Sequence, residues 1–145
     1  MRVSLKSDYG LRALLDLAER AGQGPVRCET IAARQEIPQS YLDQLLSVMR
    51  KAGLVSSTRG PRGGHQLQRP PRDIRLAEVL LALEGELLGP APPNNETAAA
   101  LPSVRVQREL WQRVRQEMER ILEETTIEDL LNRQRVLSAQ SRYYI

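Results

Sequence analysis

The segment Arg59-Gly60-Pro61-Arg62-Gly63-Gly64 limits what this chain can fold into more than any other. Three glycines and a proline in six residues exclude a regular helix and suit a tight loop, because glycine accepts positive φ and lets the backbone approach another surface. Runs with strand character flank it, Leu54-Val55-Ser56-Ser57-Thr58 before and the alternating His65-Gln66-Leu67-Gln68 after, so the whole reads as a β-hairpin. Arg59 and Arg62 project from its tip. The pattern GxxxxGK[ST] is absent and no helix start follows directly, which disfavours a nucleotide-phosphate cradle. The remaining readings are a nucleic-acid-binding wing and an inert hairpin.

Three helical signals precede the hairpin. From about Ser4 to Ala21, the residues Gly10, Ala13, Leu14, Leu17, Ala18 and Ala21 share one face, and Gly22-Gln23-Gly24-Pro25 ends the run. A short helix fits Glu29 to Gln35, with Ile31 and Ala32 inward. Pro38 opens a third, which runs to Lys51 and closes at Gly53. The second and third are joined by Glu36-Ile37-Pro38, a helix-turn-helix spacing. After the hairpin, Pro70-Pro71 leads to a helix from Ile74 to Leu83. Gly89 to Ser103 reads as a loop or linker. A long helix spans about Val104 to Glu124, with Leu110, Trp111, Val114, Met118, Ile121 and Leu122 on one stripe. Thr126 and Asp129 resemble a capping box that starts a last helix, Ile127 to about Val136. Phe is absent and aromatic residues make up only 3%, so the core is aliphatic. The predicted fold is mainly α, a winged helix-turn-helix with a two-stranded wing and a long C-terminal helix. The expected division is 1–85 for the winged helix-turn-helix region, 86–103 for a linker, and 104–145 for the long helix and the last helix.

Charge is distributed unevenly. Arg50, Lys51, Arg59, Arg62, Arg69, Arg72 and Arg75 face only Asp73 within 50–75, a local excess of six in a chain of net charge +3. The remainder is therefore net acidic, and the stripe is either a polyanion site or a solvated basic face. On the third helix Leu42, Leu45, Leu46 and Met49 form the inward side. Gln39, Ser40, Asp43, Gln44 and Ser47 form the other, with Arg50 and Lys51 at its end. Amide, hydroxyl and carboxylate groups in the first two turns are those that pair with base edges in a major groove. An ordinary polar surface helix has the same composition.

Enzyme chemistry is poorly supplied. The one histidine and the one cysteine fall in different elements, and the carboxylates lie at salt-bridge spacings along helices. No apolar run approaches the ~20 residues of a membrane span, and the N-terminus lacks a secretory apolar core. These readings point to a cytoplasmic protein with no membrane partner.

The wing hexapeptide, preceded by Lys51-Ala52-Gly53-Leu54-Val55, closely resembles the signature of the Rrf-two family of bacterial winged-helix transcription regulators. The likeness extends to Lys6 and Tyr9, Ile31-Ala32, Ser40-Tyr41-Leu42-Asp43-Gln44-Leu45, Leu76-Ala77-Glu78-Val79 with Glu84-Gly85, Trp111, and Thr126-Ile127-Glu128-Asp129-Leu130. The resemblance implies a sequence-specific DNA-binding homodimer, acting as a repressor on a pseudo-palindromic site of double-stranded DNA. By it Ser40, Tyr41 and Gln44 face the major groove, Arg59 enters the minor groove, and the helix carrying Trp111 to Leu122 is the dimer interface. The expected DNA-binding set is Lys6, Gln39, Ser40, Tyr41, Asp43, Gln44, Arg50, Lys51, Arg59, Gly60, Arg62, Gly63, Gly64 and His65. The family includes a cysteine-metabolism repressor, so a regulatory protein partner or a small ligand is a further expectation. The alternative function is a regulator or interaction module controlled by such a partner, with DNA binding weak or dependent on it.

Departures from the family matter as much. Cluster-binding members carry three cysteines in the stretch matching Gly89 to Val104, whereas this chain has none there and no histidine in it or the next helix. No metal or iron–sulfur cofactor is expected. His65 replaces the usual aromatic residue after the wing glycines, and reads as a strand residue near phosphate rather than a ligand or base. Arg75 stands where a capping Ser or Thr is common, which predicts a looser helix start. Cys28, beside Arg27 at the head of the second helix, is a candidate thiol sensor if those neighbours depress its pKa, and otherwise a packed cysteine.

Overall fold

A computed structural model describes residues 3–87, 89 and 97–143. The first helix, α1 (Leu5–Glu19), starts at Ser4, whose Oγ accepts from the Lys6 amide at 3.2 Å. α2 (Cys28–Gln35) and α3 (Gln39–Lys51) follow. Between them Glu36 turns the chain in the left-handed region (φ 54°), and Arg12 Nη1 donates to the Gln35 carbonyl at 2.6 Å, satisfying a group that the helix end leaves open. The hairpin β1 (Val55–Thr58) and β2 (Gly64–Leu67) is antiparallel, pairing Val55 with Leu67 and Thr58 with Gly64. A 3-10 turn at Pro71–Asp73 precedes α4 (Leu76–Glu84), and α5 (Pro102–Glu124) and α6 (Ile127–Tyr143) complete the chain.

One aliphatic core joins these elements. Leu14 from α1, Ile31 from α2, Leu42, Leu46 and Met49 from α3, Leu54 and Val55 at the wing base, and Ile74 and Val79 around α4 are all essentially inaccessible. Each such side chain contributes roughly 1.5–3 kcal/mol of transfer free energy. The α3 members recur at three and four residues, so the opposite face of that helix is left to solvent. Asp16 is the one fully buried carboxylate in the core-facing stripe of α1. It takes a bidentate pair from Arg34 of α2, 2.9 Å at Nε–Oδ1 and 2.9 Å at Nη2–Oδ2, and a 3.1 Å contact from Arg20.

Several boundaries differ from the sequence reading. α5 begins at Pro102 rather than Val104, because proline fits a first helical turn. α6 continues to Tyr143 rather than Val136; no glycine or proline interrupts that stretch. α6 also returns to the core, burying Ile127 and Leu131, after a capping box in which Thr126 N donates to Asp129 Oδ2 (2.9 Å) and Asp129 N to Thr126 Oγ1 (3.1 Å). Within 86–103, residues 88 and 90–96 lie outside the described set.

The start of α4 is not loose. The Arg75 amide donates to Glu78 Oε2 at 3.1 Å, and the Leu76 amide to the Thr125 carbonyl at 2.8 Å. Arg75 Nη1 reaches the Glu123 carbonyl at 2.7 Å. A guanidinium cannot accept the amide bonds that a serine would, so this position is secured by its backbone and by the α5–α6 junction.

Candidate nucleic-acid interface

With the apolar side of α3 in the core, Gln39, Ser40, Asp43, Gln44, Arg50 and Lys51 are exposed on its outer side. Tyr41 is half-buried, its ring edge-on to Tyr9 of α1 with centroids 5.6 Å apart, and Arg12 lies 4.8 Å over the Tyr9 ring. That cluster ties α3 to the α1 turn bearing the exposed Lys6.

The wing is held beside α3 by a contact that the sequence does not announce. Val26, between α1 and α2, pairs with His65: Val26 N donates to His65 O at 2.8 Å and His65 N to Val26 O at 2.7 Å. Gly64 makes this possible, since a Cβ there would lie 2.6 Å from the Val26 carbonyl carbon and oxygen. At Gly63 a Cβ would meet the Thr58 carbonyl oxygen at 2.2 Å, so the turn closes only around glycine. Arg59, Gly60 and Arg62 are exposed at the tip.

Wing and helices border an open slot of about 330 Å³, whose walls include Cys28, Asp43, Ser57, Arg59 and His65. It unites residues from α2, α3 and both wing strands. Ser57 Oγ and His65 Nδ1 are 2.8 Å apart. Burial pushes the His65 imidazole below its ordinary pKa, with Arg50 acting the same way and Asp43 partly offsetting; a neutral ring in strand β2 results at neutral pH. Arg27 also lines the slot. The sequence reading used Arg27 only as a neighbour of Cys28, because the Val26–His65 pairing that brings it to the wing is non-local.

At Cys28 burial favours the packed-cysteine reading over the thiol-sensor one. Its pKa is pushed up to about 12, first by burial, then by a hydrogen bond to the Asp43 side chain and the charges of Asp43 and Glu29. Arg27 is paired instead with Glu29 at 3.9 Å. The thiol is protonated at neutral pH, the reverse of the depression on which thiol sensing relied.

α5 buries none of its residues. Leu110, Trp111 and Ile121 are each more than half exposed and Val114 is 40% exposed, while Met118 and Leu122 are half-buried. A 23-residue helix with such a stripe facing outward is an unfilled apolar surface.

Iron is the group to test against this fold, and the residues do not fit it. Cys28 is buried on α2 and His65 is engaged with Ser57 on β2. Among the described residues no three His, Cys, Asp or Glu side chains are grouped to hold a metal. Nor is any described helix long and apolar enough to cross a membrane.

Comparison with known proteins agrees with this architecture. The Rrf2 family model, described as an iron-dependent transcriptional regulator, matches residues 3–133. The chain is 37% identical over 130 residues to the HTH-type transcriptional regulator CymR of Bacillus subtilis, covering 90% of this chain and 89% of that protein. It is 35% identical over 142 residues to the HTH-type transcriptional regulator IscR of Photorhabdus laumondii, covering 98% and 86%. The solved structure of CymR, described as the global cysteine regulator of B. subtilis, superposes with a TM-score of 0.79 at 36% identity, covering 91% of this chain and 97% of that one. These relatives are regulators and not enzymes, and the chain belongs to the Rrf2 family of winged-helix transcriptional regulators.

Proposed function

We propose that this protein is a homodimeric, sequence-specific DNA-binding repressor that acts on a pseudo-palindromic operator without an iron–sulfur cluster. The observation that carries the reading is the slot itself, where Asp43 on the exposed polar side of α3 and Arg59 of the wing line one opening. Gln39, Ser40, Tyr41, Asp43 and Gln44 present amide, hydroxyl and carboxylate groups to base edges in the major groove. Arg59, with Arg62, enters the adjacent minor groove, where negative potential is concentrated. Lys6, Arg50, Lys51 and His65 meet phosphates and fix the register, while Gly60, Gly63 and Gly64 keep the wing thin.

The stripe Leu110, Trp111, Val114, Met118, Ile121 and Leu122 pairs with that of a second copy, removing its apolar area from water. Two-fold symmetry then sets two half-sites one or more helical turns apart. The input signal in this reading is a partner protein or a small ligand, because the donor set for iron is missing.

Selection of bound fragments from genomic DNA, followed by anisotropy titration at several salt concentrations, tests the proposal. A shared palindrome, bound far more tightly than random DNA and with a log–log salt slope of several units, supports it. Uniformly weak binding to all sequences overturns it. Arg59→Ala should cost about 1–3 kcal/mol on the selected site if the guanidinium makes a groove contact.

A further inference from the structure

Val26 and Arg27 lie between α1 and α2, outside both wing strands. Yet Val26 is bridged antiparallel to His65, and both main-chain groups of His65 are spent on that pairing, at 2.8 and 2.7 Å. On its other side His65 stands opposite Ser57 of β1. A row Ser57–His65–Val26 therefore crosses the wing, with the α1–α2 segment as its third member. Arg27 follows directly. Its carbonyl accepts from the Thr30 and Ile31 amides at 3.0 and 3.2 Å, so its backbone is fixed to the wing on one side and to α2 on the other. Its side chain is 64% exposed and lines the slot together with Arg59.

We infer that Arg27 is a DNA-phosphate contact, held in register with the wing arginine by the Val26–His65 bridge. The inference rests on the reading that the wing tip enters a minor groove. Neighbouring strands lie about 4.8 Å apart, so two spacings, about 10 Å, separate the Val26 and Ser57 chains. A minor groove is only about 6 Å wide. A wing tip seated in it leaves no room for the α1–α2 segment, which meets the sugar–phosphate wall instead. A guanidinium placed there offers forked donors to phosphate oxygens. Glu29 does not hold it back: that pair is 3.9 Å long with both side chains more than half exposed, and such pairs contribute little in water. Nor does the start of α2 depend on the side chain, because Arg27 is the N-cap residue but makes no side-chain capping bond. Arg27 can thus exchange Glu29 for phosphate while α2 stays intact. Phosphate contacts carry no base information, so Arg27 adds affinity on every sequence alike.

The test is anisotropy titration on the selected operator and on a scrambled duplex, at about 50 and 200 mM salt. Wild type, Arg27→Ala, Arg27→Lys and Arg135→Ala are compared, with melting temperatures recorded alongside. Arg135 is exposed on α6, outside the slot, and controls for net charge. Each phosphate contact contributes about 0.9 to the log–log salt slope, or about 1.8 for the two copies of a dimer. Arg27→Ala should lower the slope by that amount, so its deficit relative to wild type should shrink about tenfold between the two salt concentrations, alike on both duplexes. Arg27→Lys, which keeps the charge, should retain most of the slope, and Arg135→Ala all of it. A wild-type slope in Arg27→Ala overturns the inference and leaves DNA reading by α3 and the wing standing; weaker binding with that slope and a lower melting temperature is the mark of packing alone. A loss confined to the operator overturns it too, since that marks base reading. So does an equal fall of slope in Arg135→Ala, the sign of a general field rather than a contact. Equal wild-type binding to both duplexes, with the slope still falling in Arg27→Ala, supports the contact and overturns only the sequence-specific reading. A wild-type protein that binds neither duplex overturns both.

Discussion

Gly64→Ala is the substitution for which the structure gives the clearest magnitude. The added Cβ would sit 2.6 Å from the Val26 carbonyl carbon and oxygen, where ordinary contacts begin near 3.4 Å. The obstacle is backbone, so relief requires β2 and the α1–α2 segment to separate by most of an ångström. That movement breaks both Val26–His65 hydrogen bonds, now 2.8 and 2.7 Å. Two net hydrogen bonds at about 1 kcal/mol each and overpacking at about 1–3 kcal/mol overlap, because the same shift relieves the clash. A total of about 2–4 kcal/mol is expected, or about 5–15 °C in melting temperature for a chain of this size. Gly60→Ala is the control: nothing lies within 4 Å of a Cβ there, and the positive φ of 106° is the only conflict. It should cost about 1 kcal/mol. Thermal unfolding at one fixed protein concentration measures both, and anisotropy on the selected operator should show Gly64→Ala binding more weakly. If Gly64→Ala melts no lower than Gly60→Ala, the close approach does not hold the wing and the reasoning fails.

Other perturbations follow from the same structure. Asp16→Asn should lose about 2–3 kcal/mol in urea unfolding at neutral pH, below the roughly 3–5 kcal/mol of fully buried pairs, because Arg34 and Arg20 stay about one-third exposed; a loss under about 0.5 kcal/mol would show that the network contributes little. Glu84 is held down to about 2 by the Ser4 and Ser7 hydroxyls and the Ser4 amide. A depressed carboxylate adds stability above its unfolded pKa near 4.5 that is lost as pH falls toward 2. Glu84→Gln should therefore flatten the acid limb of the stability–pH curve in that window, and an unchanged limb would contradict the assignment. Trp111→Glu should weaken self-association in sedimentation equilibrium at least tenfold, roughly the effect of 1.4 kcal/mol, while leaving the helical circular dichroism intact, since Trp111 is 54% exposed and outside the core. An unaltered association constant would remove α5 from the interface.

What was legible in the sequence was local. Leu42, Leu45, Leu46 and Met49 repeat at helical spacing, and their burial follows from that period alone. Gly60, Pro61, Gly63 and Gly64 punctuate the wing within six residues, so its position is accessible without tertiary information, whereas the pairing of Thr58 with Gly64 is not. The illegible features each join residues far apart in the chain. Val26 carries no strand signal, yet it completes the wing through His65. The Arg75 guanidinium engages the Glu123 carbonyl 48 positions away, and the neighbouring Leu76 amide engages the Thr125 carbonyl 49 positions away.

Cys28 shows why such features escape a local rule. A helix start and an adjacent arginine both favour a thiolate, and nothing within one turn except Glu29 opposes them. The structure adds burial under the core and the Asp43 carboxylate from another helix, and both act against charge on sulfur. Arg27 meanwhile spends its charge on Glu29 in the exposed layer, where water screens it. Desolvation grows with every element that closes over a group, whereas the favourable terms come from one helix turn and one mobile side chain. At Cys28 the burial set by tertiary packing decides the protonation state, and it becomes readable only once the packing partner is known.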